Sequence, residues 1–292
     1  MTGFLLLCFT TMIKNADSQE YKDLKKLTGY RVNAWCSPAA EAKAKKMAAR
    51  LDSVTAFYQE HLRFTPIVTL LVLSPGDWRA HTDFPVYGMP HYNDQQTLVL
   101  ASEDNDFWRS LLPATDKLPA AYAEQVAQVY RGSNGTISME AFFDLLAIHE
   151  LGHAYYQQAG LLMQRHWLSE LLPNILLHAY IAEKEPALLP ALTLFPKIVV
   201  TTTDKSSLKY TSLADLETYY NDLGKNYPQN YGWYQCRWHV AAGDIYEKGG
   251  VNGLARLWNA LKTQKETLSD SALVHLLTIN ALPVANMYNS WE

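Results

Sequence analysis

The segment Ala147-Ile148-His149-Glu150-Leu151-Gly152-His153-Ala154 sets two imidazoles and a carboxylate in an HExxH spacing. On a helix, residues four apart lie about 40° from each other around the axis, so His149 and His153 can reach one metal ion. Glu150 projects from the same flank, where it can accept a proton from a metal-activated water. Two neutral nitrogen ligands, an activated water and a general base are the minimal parts of zinc-assisted hydrolysis. Nearly all other positions between Ala141 and Tyr155 are apolar. Ser138 suits an N-cap, Glu140 suits the positive helix end and Gly160 suits a C′ stop, so the residues predict one central helix over 139–159. Two histidines and a glutamate buried there without a partner would be costly, which favours a metal over hydrogen-bonded core histidines.

A catalytic zinc site needs a third protein ligand and an open fourth position. The metzincin pattern would place a glycine and a histidine at positions occupied by Tyr156 and Ala159, so that class is excluded. Downstream, Gln164-Arg165-His166-Trp167-Leu168-Ser169-Glu170 leads into a second apolar stretch that ends before Pro186. A connection of about ten residues, 160–169, lets this second helix fold back on the first. The Glu170 carboxylate at its start can then face His149 and His153. His166 and His178 are the runner-up ligands.

The pairing of HELGH with WLSE resembles the gluzincins, the thermolysin-like and aminopeptidase-like zinc metallopeptidases. The resemblance to their small members spans roughly 29–262, but its specific motifs occupy only 149–153 and 167–170. It implies one Zn2+ per chain held by His149, His153 and Glu170, Glu150 as the base and a peptide or protein as substrate. It also implies a polar residue near Asn174 that orients a ligand histidine; Asn174, four after Glu170, can do so by accepting from an imidazole N–H. Gluzincins take their oxyanion donor, a tyrosine or histidine, from a later helix. The segment 230–239, opening a helix expected to reach Gly249-Gly250, offers Tyr231 first, with Tyr234 and His239 as alternatives. Aminopeptidase-like members hold a substrate amine with a glutamate in an upstream loop. No glutamate occurs between Glu60 and Glu103, which points to an endopeptidase or an unusual substrate.

The rest of the chain fits an ordinary globular protein of 292 residues, 48% hydrophobic and 18% charged. A formal net charge of −4 leaves no basic footprint, so nucleic acid is not an expected partner. The apolar run Gly3 to Phe9 is too short to span a membrane. With the small residues at Ala16-Asp17-Ser18, it reads as a signal peptide over 1–18 and an exported (periplasmic or extracellular) protein, although no basic residue precedes the run; the alternative is a disordered start and a cytoplasmic protein. Removal of 1–18 would leave Cys36 and Cys236, as one disulfide or two buried thiols.

Stepping along the remaining 19–292, residues 29–36 alternate like a half-buried strand. Ser37-Pro38 opens a helix to about Leu62. Pro66–Leu73 and Thr97–Ala101 read as strands, separated by a loop containing Gly88-Met89-Pro90. After Leu118 the chain reads almost wholly helical. The expected fold class is α+β, one catalytic domain with an α/β half at 19–138, a helical half at 139–292 and the HExxH helix between them. By the resemblance the arrangement is thermolysin-like, with Thr97–Ala101 as either the candidate edge strand that pairs with substrate or an interior strand of the sheet. The competing readings are a catalytically inactive binding or scaffold protein on the same fold, and a zinc hydrolase acting on a non-peptide substrate.

Overall fold

The computed structural model describes residues 21–93, 96–132 and 134–291. The expected signal peptide at 1–18 lies outside these residues. The fold is α+β, with a small mixed sheet followed by a largely helical remainder.

Five strands build the sheet: β1 (Lys25–Leu27), β2 (Asn33–Cys36), β3 (Thr69–Leu73), β4 (His91–Tyr92) and β5 (Thr97–Ala101). Their order is β1-β2-β3-β5-β4, with β2, β3 and β5 parallel and the two outer strands antiparallel to their neighbours. Thr97–Ala101 is therefore an interior strand, and the outermost strand on that side is β4. Every residue of β5 is buried, as expected for a strand covered on both faces. The sequence leaves this open because two residues are too few for β4 to show any alternation.

Helix α1 (Glu41–Leu62) follows a single 3-10 turn after Ser37 and packs on β2 and β3. Short helix α2 (Pro75–His81) occupies part of what the sequence reads as loop, and α3 (Asp106–Leu111) follows β5. Each is capped by a side chain, Ser74 on Asp77 N–H and Asn105 on Trp108 N–H. Then come α4 (Ala120–Val129), α5 (Glu140–Phe143), α6 (Leu146–Gln158), α7 (His166–Lys184), α8 (Leu189–Thr202), α9 (Leu213–Asn226), α10 (Pro228–Thr263), α11 (Asp270–Asn280) and α12 (Leu282–Asn289).

The expected helix over 139–159 is two helices, α5 and α6, interrupted at Asp144 and Leu145. The buried Asp144 carboxylate pairs with Lys43 Nζ at 2.7 Å, and Lys43 also reaches Glu140 at 3.0 Å, tying this junction to α1. Ser138 Oγ does accept from Glu140 N–H, and Gly160 ends the segment at φ +66°, a conformation that favours glycine. The connection to α7 is shorter than expected, since α7 starts at His166 and Glu170 sits in its second turn. Helix α10 runs past its non-helical Gly250 (φ +55°) to Thr263.

Helix α6 lies between the two halves, against β4 and β5 on one side and α7 on the other. One continuous apolar core runs from the sheet through α6 and α7 to α12. Cys36 and Cys236 are both buried free thiols. Among the described residues, no helix is long and apolar enough to cross a membrane.

Candidate metal centre

The approach of α6 to α7 is set by one glycine. A Cβ on Gly152 would meet Pro173 Cα and Cβ at 2.8 Å. Only a residue without a side chain lets the helices close there. Pro173 lies inside α7, where its ring also removes one backbone donor from the helix. This contact brings Glu170, one turn before Pro173, opposite the two histidines of α6.

His149 Nε2 and His153 Nε2 are 3.1 Å apart, and Glu170 Oε2 is 3.6 Å from His149 Nε2. One donor atom from each of the three residues lies within 4.8 Å of the others. A tetrahedral ion with bonds of about 2.0–2.1 Å spaces its ligand atoms about 3.4 Å apart. The 3.1 and 3.6 Å separations fall on either side of that edge length, and two imidazoles with one carboxylate are a zinc-type donor set. Two carboxylates, Glu150 and Glu170, also favour a cation at this point. The residues present therefore fit a zinc ion. His166 and His178 do not join this cluster. The exposed His166 ring stacks on Tyr220 at 4.3 Å, and His178 packs against Gly243 and Tyr246.

The electrostatics follow from burial of mutually facing charges. Burial pushes the Glu150 carboxyl up to about 7; His149 and the Tyr92 backbone N–H oppose this, while Glu170 adds to it. Burial pushes His153 down to about 4. Burial would lower His149 as well, but contact with Glu170 and the charges of Glu150 and Glu170 outweigh it and raise its proton affinity. Glu170 is held well below the carboxylate range: burial acts to raise it, and His149, His153 and Tyr220 together outweigh that. A cation would take the place of the proton that this carboxylate pair draws onto His149.

Around the three residues stands a ring of polar side chains. Tyr220 OH donates to Glu170 Oε1, and Gln235 Nε2 donates to Glu170 Oε2 at 2.9 Å. Tyr156 OH lies 3.1 Å from His153 Nδ1. Asn174, fully buried, donates through Nδ2 to the Glu170 carbonyl at 3.0 Å. Its Oδ1 and the His149 Nδ1 have no other partner, and the Asn174 side chain raises the proton affinity of His149. The Asn174 side chain thus neighbours His149, as an orienting role requires.

The three candidate oxyanion donors separate clearly. Burial, then the Glu170 and Glu150 charges, holds the Tyr231 phenol well above its usual range, so it stands protonated among the site carboxylates. Tyr234 is fully buried elsewhere: its OH donates to the Ser212 carbonyl at 2.6 Å and its ring stacks on Trp291. Although three residues after Tyr231 on the same helix, Tyr234 is thus committed to Ser212 and Trp291. His239 sits behind His149, ring centroids 6.4 Å apart, with Phe142 against it. Burial holds it neutral.

Sequence reasoning missed Tyr156, Tyr220 and Gln235. Tyr156 and Gln235 were within reach, because they lie three after His153 and four after Tyr231 on their helix faces. Nothing in the sequence marks Tyr220, which arrives from a separate helix. Neither a protein-family model nor a curated protein matches this chain.

Proposed function

We propose that the protein is a zinc-dependent metallopeptidase of gluzincin type, built on a thermolysin-like arrangement of its α+β fold. The observation that carries this reading is the convergence of His149, His153 and Glu170 with the Glu150 carboxylate on the adjoining flank of α6.

In this reading the two imidazoles and Glu170 hold the ion. When bound, zinc lowers the pKa of a coordinated water toward neutrality and polarises a carbonyl. Glu150 accepts the proton of the attacking water at its carboxylate and hands it to the leaving amine. The Tyr231 phenol, held protonated, donates to the oxygen on which negative charge develops. Asn174 and Tyr156 orient the two imidazoles through their Nδ1 atoms.

Substrate alignment falls to β4, not to β5. Strand β4 is outermost in the described sheet, packs on α6, and its Tyr92 N–H reaches Glu150. A peptide laid beside this strand would pass Glu150. The lack of any glutamate between Glu60 and Glu103 favours internal cleavage over recognition of a free amine.

The test is cleavage of a mixed peptide library by purified protein, with a chelated sample and Glu150→Gln as controls. The reading expects internal cleavage that chelation and Glu150→Gln both abolish. Cleavage that survives the chelator would remove the metal from the reaction, and no cleavage by zinc-loaded protein would leave the centre without peptidase chemistry.

A further inference from the structure

We propose that α9 is the positioning element of the third ligand: Glu217 and Tyr220 grip the first two turns of α7 and aim the Glu170 carboxylate at the histidines. This rests on the metal-centre reading above.

Helix α7 starts without a cap of its own. Arg165 stands at its N-cap position, and its side chain makes no capping bond. The first two backbone donors go instead to a carboxylate from another helix: His166 N–H to Glu217 Oε2 at 3.0 Å and Trp167 N–H to Glu217 Oε1 at 2.9 Å. Unpaired N–H groups and the helix dipole both favour an anion at this end. Glu217 thereby fixes where α7 begins, and so the height of Glu170 along it.

Tyr220 lies three residues after Glu217, on the same face of α9. Its OH donates to Glu170 Oε1. That leaves Oε2 as the oxygen 3.6 Å from His149 Nε2, with Gln235 bonded from its other side. Tyr220 itself is held by its ring, stacked on His166 at 4.3 Å with 4° between planes. The height of the carboxylate is thus set from α9, and its rotation by Tyr220 of α9 together with Gln235 of α10.

Leu216 and Leu223 are the buried residues of α9, and the helix departs from regular geometry at Tyr219, next to Tyr220. Leu213 and Tyr220 also pack against the core, so α9 is seated on both α7 and α10 while its polar groups reach the start of α7. Tyr220 and Glu217 act through Glu170 and are positioning residues.

Zinc affinity of the full chain tests this, read by competition with a chromophoric chelator for wild type, Tyr220→Phe, Glu217→Ala and Glu217→Gln. Thermal unfolding with and without chelator accompanies each. Tyr220→Phe is expected to weaken zinc about 10- to 100-fold, the scale for loss of a ligand's outer partner. Glu217→Ala is expected to weaken it less. Glu217→Gln should recover part of that loss, because its amide oxygen can still accept one of the two N–H groups. If Tyr220→Phe does not fold, the difference between Glu217→Ala and Glu217→Gln decides. Variants that unfold earlier but hold zinc as tightly as wild type would make α9 a purely structural support and overturn the proposal. A wild type that binds no zinc overturns the metal centre and this proposal together. The expected losses in a protein that cleaves no peptide would leave this proposal standing and remove only the peptidase reading.

Discussion

Helices α6 and α7 and helix α9 serve the same centre but are built in opposite ways. Fourteen of the 19 residues of α7 are buried, so its ligand rides on an element fixed by the core. Two of the 14 residues of α9 are buried, so it is a peripheral helix seated on α7 and α10. In the proposed reading the difference separates two tasks. The proposed ligands and base ride on elements that can move only if the core moves. The rotation of Glu170 is trimmed in part by Tyr220, from a helix with far less of its surface in the core. Loss of a group on the buried pair should therefore abolish a property, and loss of a group outside it should scale one down.

The sharpest break is expected from His153→Ala. One imidazole of a three-ligand centre is removed, and zinc retained on gel filtration should fall from one equivalent to near none. Next comes Glu150→Gln, which keeps shape and burial but cannot take a proton. Zinc content should stay at wild-type level while kcat falls by at least the ~10²–10⁴-fold ascribed to a general acid–base group. Tyr231→Phe removes a donor outside the buried pair; kcat should drop about 10²–10³-fold with zinc unchanged. Gly152→Ala tests the pair itself. The new methyl would meet the Pro173 backbone at 2.8 Å, and a loss of about 1–3 kcal/mol is expected in denaturant unfolding. Tyr234→Phe marks the low end. It should cost about 1 kcal/mol through the lost bond to the Ser212 carbonyl and leave kcat as it was. A Tyr234→Phe defect as large as that of Tyr231→Phe would exchange their assigned roles.

The same contrast explains what was legible in the sequence. HELGH and WLSE are local patterns on helices, and helical periodicity alone puts His149 and His153 on one face. Glu170 followed from the short connection that forces α7 back along α6, although that helix starts earlier than its apolar stretch suggests. Asn174 was readable as the next turn below Glu170. Tyr231 was readable only as one of three, since nothing local tells which side of α10 meets the centre. The break at Asp144 was hidden because its carboxylate is engaged by a partner far away, Lys43 on α1, which no local pattern announces. Whether Thr97–Ala101 is edge or interior stayed open in the sequence for a similar reason. Which strand is outermost depends on a pairing with two residues, His91 and Tyr92, that carry no strand signature. Tyr220 and Glu217 were not readable at all. Their role comes from where α9 docks, and an amphipathic surface helix leaves that open.

The most direct test of the central claim is metal content by mass spectrometry of the wild type and Glu170→Ala, both purified and then supplied with zinc. One zinc per wild-type chain, with most of it lost from Glu170→Ala after the same dialysis, is the expected result. A wild type that holds no zinc, or a Glu170→Ala variant that keeps a full equivalent as tightly, would contradict a centre formed by His149, His153 and Glu170.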